Sequence, residues 1–264
     1  MKLNLVPART GVTWVRSGLK TFLRQPLAFV SLFFFFMALV SIASQIPFIG
    51  AVLALMLLPT MTLGLMAAAA HASGPEKPAA GTVFRAALQA VRTDVRPMTV
   101  LGALYAGLFL LVMAISAIAD GGEFAKIYLL GGALSREVAE KTEFQVALWI
   151  AMALYLPLSL AFWHAPALVH WHHVPPAKSL FFSFVACFKN FGAMTMFGLA
   201  WFGVFIGAGL ILSIGATLLV AVGAIGMGDG ATAAGGAVML GGALVMAAMF
   251  FTSTWGTFRD SFQE

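Results

Sequence analysis

The residues with the most chemical potential lie in one stretch, Phe162-Trp163-His164-Ala165-Pro166-Ala167-Leu168-Val169-His170-Trp171-His172-His173-Val174-Pro175-Pro176, which holds four of the five histidines and two of the six tryptophans. Imidazoles gathered in this way could bind a metal ion or relay protons. The spacing argues against it. Of His164, His170, His172 and His173, only His170 and His173 would share a helix face, and Pro175 predicts the end of that helix. No carboxylate falls between Phe144 and Val174 to complete or orient a ligand set. The favoured reading is an aromatic and polar belt where a helix leaves a bilayer, with a metal or proton site as the alternative. No metal or cofactor is expected.

Other chemistry is thinner still. Cys187 is the single cysteine, so no intrachain disulfide and no multi-cysteine metal site can form. Ser31, Ser41, Ser44, Thr60 and Thr62 have no His or Asp at the same depth to activate them, and such residues commonly bond their own helix. The Gly-rich runs follow no strand, which excludes a phosphate-binding loop. What remains is a set of cations, Arg16, Lys20, Arg24, Arg85, Arg92 and Arg96, placed on amphipathic segments where they would meet anionic lipid headgroups at about 1 kcal/mol each.

The elements that position these residues are membrane elements. Charged residues make up 9% of the 264-residue chain and hydrophobic ones 61%, with mean hydropathy +0.96; soluble domains carry about 25% charge. The excess of 15 Lys and Arg over 10 Asp and Glu is dispersed among apolar runs, which excludes a nucleic-acid patch. Uncharged runs at 27–46, 51–70, 97–119, 144–169, 193–223 and 233–252 each approach or exceed the roughly 20 residues that cross the hydrocarbon core. The first is too long, and its basic leader too extended, for a signal peptide.

Before the first run, Arg16, Lys20 and Arg24 recur every four residues opposite Val15, Leu19 and Phe22, which predicts an interfacial helix ended by Pro26. A second such helix is predicted over 83–95, with Thr82 as its cap, and a third, more apolar, over 178–191. The breakers Gln45-Ile46-Pro47-Phe48-Ile49-Gly50 join the first two spans, Gly226-Met227-Gly228-Asp229-Gly230 the last two, and residues 120–143 form the one sizeable charged loop. The expected fold is all-α: a single membrane domain over 1–264 with six transmembrane helices plus amphipathic interfacial helices. The order amphipathic helix, span, span recurs over 1–76, 77–173 and 174–264, the pattern of parallel repeats. Generic hairpin composition explains that recurrence as well as a true triplication does.

Twelve of the fifteen Lys and Arg fall on the side of the amino terminus, so both termini are expected in the cytoplasm by the positive-inside rule. No Asp, Glu, Lys or Arg sits mid-span, which disfavours energised transport, since proton and ion pathways need such groups despite an insertion cost of about 2.5–3.5 kcal/mol. Gly203 and Gly207 form a G-x-x-x-G; intrachain packing is the first reading and a homo-oligomer the second.

The opening Lys2-Leu3-Asn4-Leu5-Val6-Pro7-Ala8-Arg9-Thr10-Gly11 with Trp14, the Phe22-Leu23-Arg24-Gln25-Pro26-Leu27 element and the 162–187 region together resemble an uncharacterised family of beta-proteobacterial inner-membrane proteins. The resemblance covers nearly the whole chain and implies an inner-membrane location and a multi-span helical architecture. It carries no activity. From the residues, the expected function is non-enzymatic: lipid interaction, envelope organisation or membrane-complex assembly, with membrane lipids as partners. The alternative is a passive channel or permease subunit lined by the fifth and sixth spans.

Overall fold

Proline and glycine set the joints of this chain, and apolar runs fill the space between them. In the computed structural model, which describes residues 2–79, 81–221 and 229–263, a short strand β1 (Lys2–Leu3) leads into α1 (Thr10–Arg24), then α2 (Pro26–Ser44) and α3 (Gly50–Ala72). There follow α4 (Thr82–Thr93), α5 (Val95–Asp120), α6 (Glu123–Leu130), α7 (Arg136–Glu140), α8 (Thr142–Trp163), α9 (Ala165–His172), α10 (Pro176–Lys189), α11 (Phe191–Ala221), α12 (Asp229–Ser261) and β2 (Phe262–Gln263). Pro26 and Pro176 each stand first in a helix, where the missing N–H costs nothing and the fixed φ suits the first turn. The turn expected around Gly226-Met227-Gly228 lies outside the described residues.

Six helical stretches are long and apolar enough to cross a bilayer: Pro26–Ser44, Gly50–Ala72, Val95–Asp120, Thr142–His172, Phe191–Gly215 and Val238–Ser261. The protein is an all-α membrane protein with six candidate spans. The first three expected spans have their helices within a few residues, because those uncharged runs end at the same breakers that end the helices, whereas α12 continues past the expected 233–252 to Ser261. Inside the 120–143 loop, α6 was not expected. It follows two left-handed glycines, Gly121 (φ 67°) and Gly122 (φ 91°), and the Asp120 carboxylate accepts from the Gly122 and Phe124 N–H groups (2.9 and 2.6 Å), so one aspartate ends α5 and starts α6.

The chain divides into two compact units. One comprises Met1–Phe35, Leu65–Ala87 and Asn190–Glu264, the other Phe36–Gly64 and Leu88–Lys189. In the first unit α1 lies along α11 and α12. Glycine permits the approach: a Cβ on Gly11 would stand 2.2 Å from the Ala193 carbonyl oxygen, and one on Gly18 2.4 Å from the Ser253 Cα. Trp14, Val15 and Phe22 fill the seam, with the Trp14 ring edge-on to Phe197 at 6.2 Å. The apolar face of α1, expected to rest in lipid, is covered by protein.

The chain ends close this unit. β1 and β2 pair antiparallel, Leu3 opposite Phe262. Asn190 ties them in: its Oδ1 accepts from the Val6 N–H at 2.9 Å, and its Nδ2 donates to the Asn4 carbonyl at 3.0 Å and the Ser261 hydroxyl at 3.4 Å. Both termini are therefore on one side of the membrane.

In the second unit α8 packs on α5 and carries α10 across its end. The fourth expected span is broken at His164, where α8 stops and α9 begins. Ser183 of α10 repairs the break. The His164 N–H donates to the Ser183 hydroxyl oxygen (2.9 Å), which donates to the Leu160 carbonyl (2.8 Å), so one side chain substitutes for the lost helical bond between those backbone groups. α9 then ends on His173 in the left-handed region (φ 51°), with the His173 and Val174 N–H groups both returning to the Leu168 carbonyl. That end precedes Pro175, which had been expected to impose it.

Candidate functional site

A cavity of about 290 Å³ opens in the first unit, lined by α1, the segment after α3 and the last turns of α12. Ser17, Lys20, Thr21 and Arg24 of α1, at i, i+3, i+4 and i+7, face Thr252, Trp255, Gly256 and Arg259 of α12 in the same spacing. Such spacing keeps each set on one helix face. Ser73, Gly74 and Pro75 close the third side. The lining contains three cations, Lys20, Arg24 and Arg259, and no carboxylate.

Each cation is held differently. The Arg24 guanidinium donates through Nη1 to the carbonyls of Ala72 (2.8 Å) and Gly74 (2.5 Å) and through Nη2 to that of Pro75 (2.8 Å). It thereby holds the Ala72 carbonyl at the end of α3 and those of Gly74 and Pro75 in the turn after it, and among the described residues its Nε and one Nη2 hydrogen have no further partner. Arg259 donates Nε to its neighbour Asp260 (2.7 Å), whose other oxygen accepts from the Trp14 indole at 2.9 Å. Among the described residues both Nη groups of Arg259 have no hydrogen-bond partner. The exposed Lys20 ammonium has no ion-pair partner among the described residues. Lys20 and Arg24 therefore bring positive charge to the cavity with no carboxylate partner among the described residues, while that of Arg259 is offset in part by Asp260.

Of the expected headgroup cations, the structure brings Lys20 and Arg24 together and adds Arg259. Arg16 is exposed on α1 outside the cavity, and Arg85 is exposed on α4. Arg92 and Arg96 are exposed in the second unit.

The histidines separate. His164 is buried, with its Nδ1 3.7 Å from the Cys187 Sγ, which also lies 3.7 Å from the Leu160 carbonyl. Burial pushes the Cys187 thiol up to about 12, against a smaller lowering by the Ser183 hydrogen bond. A neutral thiol sealed beside a buried imidazole is a packing group, because thiolate and access are both needed for nucleophilic chemistry. His170 pairs through Nδ1 with the Asp94 carboxylate at the start of α5, a partner from outside the stretch that sequence reading did not supply. His172 is half-buried and His173 exposed at the turn. Among the described residues, no group of three or more His, Cys, Asp or Glu is placed to hold a metal ion.

Between α11 and α12 runs a groove of about 450 Å³ lined only by apolar residues, among them Phe205, Leu212, Met239, Met246 and Phe250. It offers nothing to replace the water around a polar solute. At about 100° per residue its α12 lining falls on the opposite side of that helix from Thr252 and Trp255, so groove and basic cavity are separate features.

Comparison with known proteins adds one firm relation. The chain is 38% identical over 265 residues to a probable inner membrane protein of Burkholderia thailandensis, covering 99% of this chain and 94% of the relative. The chain belongs to this family of inner-membrane proteins. No family model matches the sequence, and no solved structure matches the fold. The relation agrees with the six apolar helices and the earlier resemblance: the protein is a multi-pass inner-membrane protein.

Arg259 is the cavity residue that sequence reading missed as a ligand. It was legible only as one more basic residue after the last span; the signal was its i, i+4 spacing from Trp255 at the membrane end of α12. The hydroxyls Ser17, Thr21, Ser73 and Thr252 gave no signal, since nothing in the sequence brings 17–24, 73–75 and 252–259 to one place.

Proposed function

We propose that this protein is a non-enzymatic inner-membrane protein that retains the headgroup of an anionic lipid in the cavity of Lys20, Arg24 and Arg259, and through it takes part in lipid handling, envelope organisation or the assembly of a membrane complex. The observation that carries this reading is the lining itself, which has three cations converging without a carboxylate on a space of headgroup size. Orientation supports it. With twelve of fifteen Lys and Arg on the side of the termini, the positive-inside rule puts the cavity on the cytoplasmic leaflet, where anionic lipids attract basic groups. A phosphatase fused after residue 264 is expected to be inactive; an active fusion would reverse the orientation.

The test of binding is native mass spectrometry of protein extracted with its lipids. Neutralising Lys20 and Arg259 together (K20Q, R259Q) removes two contacts of about 1 kcal/mol each, which weakens anionic-lipid affinity by about 30-fold and lowers the lipid retained. Unchanged lipid co-purification would sink the reading.

A homo-oligomer through Gly203 and Gly207 is a further part of this proposal. A Cβ at either position would meet nothing within 4 Å among the described residues, so the close-approach surface these glycines create is not used by any of them. Leucine at both positions should then shift the native mass toward the monomer while the fold persists.

A further inference from the structure

Resting on the headgroup reading, we propose that the cavity selects an anionic headgroup that also carries free hydroxyls, a glycerol or sugar phosphate ester, over a bare phosphate or a zwitterionic headgroup. The argument comes from where the hydroxyl hydrogens go. Ser17 donates to the Trp14 carbonyl (3.1 Å), Ser73 to that of Ala69 (2.6 Å) and Thr252 to that of Ala248 (2.7 Å). With the Ser73 hydrogen committed, Thr21 is the donor in their 3.4 Å contact. Each hydroxyl therefore spends its one hydrogen inside the protein, which leaves acceptor lone pairs on Ser17, Thr21 and Thr252 and one fewer on Ser73, which accepts from Thr21. Hydroxyls in that state are acceptors.

The cavity thus has two chemistries side by side. The uncommitted hydrogens of Lys20, Arg24 and Arg259 are donors suited to phosphate oxygens, and Arg24 is pre-aimed by its three carbonyl contacts. The oxygens of Ser17, Thr21, Ser73 and Thr252 can take only a hydrogen donor. A fully ionised phosphate has none to give. An ethanolamine ammonium has hydrogens but meets three cations and no carboxylate. A headgroup bearing alcohol groups beside a phosphodiester satisfies both sets, because its phosphate faces the cations and its O–H groups face the acceptors. Discrimination of this kind follows when a site's buried polar groups would otherwise go unpaired.

The experiment reconstitutes the full chain in phosphatidylcholine nanodiscs carrying equal minor fractions of phosphatidylglycerol, phosphatidic acid and phosphatidylethanolamine, and measures retained lipid by native mass spectrometry. Phosphatidylglycerol is expected about tenfold enriched over phosphatidic acid, and both over phosphatidylethanolamine. Replacing two acceptors without touching charge (S17A, T21V) should bring phosphatidylglycerol down to the phosphatidic acid level. Equal retention of the two anionic lipids by the unaltered protein, or a selectivity that survives S17A/T21V, overturns the hydroxyl proposal while leaving the headgroup reading intact. Retention of neither anionic lipid above phosphatidylethanolamine overturns both. Soluble glycerol 3-phosphate supplies the remaining arm: if it displaces phosphatidylglycerol stoichiometrically at equal concentration, the ligand is a free phosphate ester and the lipid source is wrong.

Discussion

α1 and α10 occupy equivalent places in the chain order, each an amphipathic helix of about four turns leading into a span, yet they turn opposite faces to the protein. α1 buries Trp14, Val15 and Phe22 (0, 3 and 2% exposed) and leaves Arg16 and Lys20 outside. α10 buries Ser179, Ser183, Ala186 and Cys187 (0, 0, 0 and 1%) and turns out Phe181, Phe184 and Phe188 (64, 36 and 63%). The neighbour decides. α11 and α12 offer α1 an apolar seam lined by Phe197 and opened by Gly11 and Gly18. The broken α8–α9 joint instead presents the His164 N–H and the Leu160 carbonyl, which the Ser183 hydroxyl bridges and the Cys187 thiol also approaches, so α10 turns its small polar face to them. In a membrane the solvent is as apolar as the protein core, so the greasy face of a helix carries no label saying which way it points.

This contrast can be broken most severely at Trp14. Trp14→Ala should destabilise the protein by about 3–5 kcal/mol in detergent thermal unfolding, from the cavity it leaves in the seam, and it also strips Asp260 of the indole donor. A loss below about 1 kcal/mol would mean that the apolar face of α1 rests on lipid after all.

Next comes Ser183→Ala, which leaves the His164 N–H and the Leu160 carbonyl buried without the bridge that joins them. The expected loss is about 2 kcal/mol, with Ser183→Thr retaining most of the stability. Were the alanine variant as stable as the parent, α10 would not be repairing the break.

Cys187 gives a pH test of the same face. A folded-state thiol near 12 against an ordinary value of 9.0 means folding disfavours the thiolate. Its contribution is fully present below pH 9 and is lost as pH rises from 9 toward 12. The stability difference between the parent and Cys187→Ala should shrink over that window. A difference that stays constant with pH would show the thiol to be water-accessible.

The smallest effect belongs to the outward phenylalanines. Phe184→Ala and Phe188→Ala should each move detergent stability by no more than about 0.5 kcal/mol, as for other surface substitutions. A loss comparable with Trp14→Ala would show that this face has a protein partner.

Sequence alone supplied the six spans, because a run such as Leu27 to Ile46 without a charge has no other stable home, and Pro26 and Gly50 marked where the first two begin. It could not supply which side of α1 or α10 faces inward, for the reason the two helices illustrate. The break at His164 was legible in Pro166, which cannot donate to the Phe162 carbonyl and sits in the first turn of α9; its repair was not, since the compensating Ser183 lies nineteen residues away. Asp94 as partner of His170 required a contact across 76 residues. Of the candidate cavity, Lys20 and Arg24 were legible through their four-residue spacing. Arg259 and the hydroxyls belong to segments that only the folded chain brings together.

The hydrogen bond from Trp14 to Asp260 joins residues 246 positions apart, and β1 waits for β2 across nearly the full chain. During synthesis at about 5–20 residues per second, the first helix emerges roughly 10–50 s before its seam partner exists. Throughout that interval Trp14, Val15 and Phe22 need another apolar medium, and the membrane surface is the one at hand. On the headgroup reading proposed above, Arg16, Lys20 and Arg24 would have an earlier task than any in the finished protein, to moor the nascent amino terminus to the leaflet until the last helix arrives to take its place.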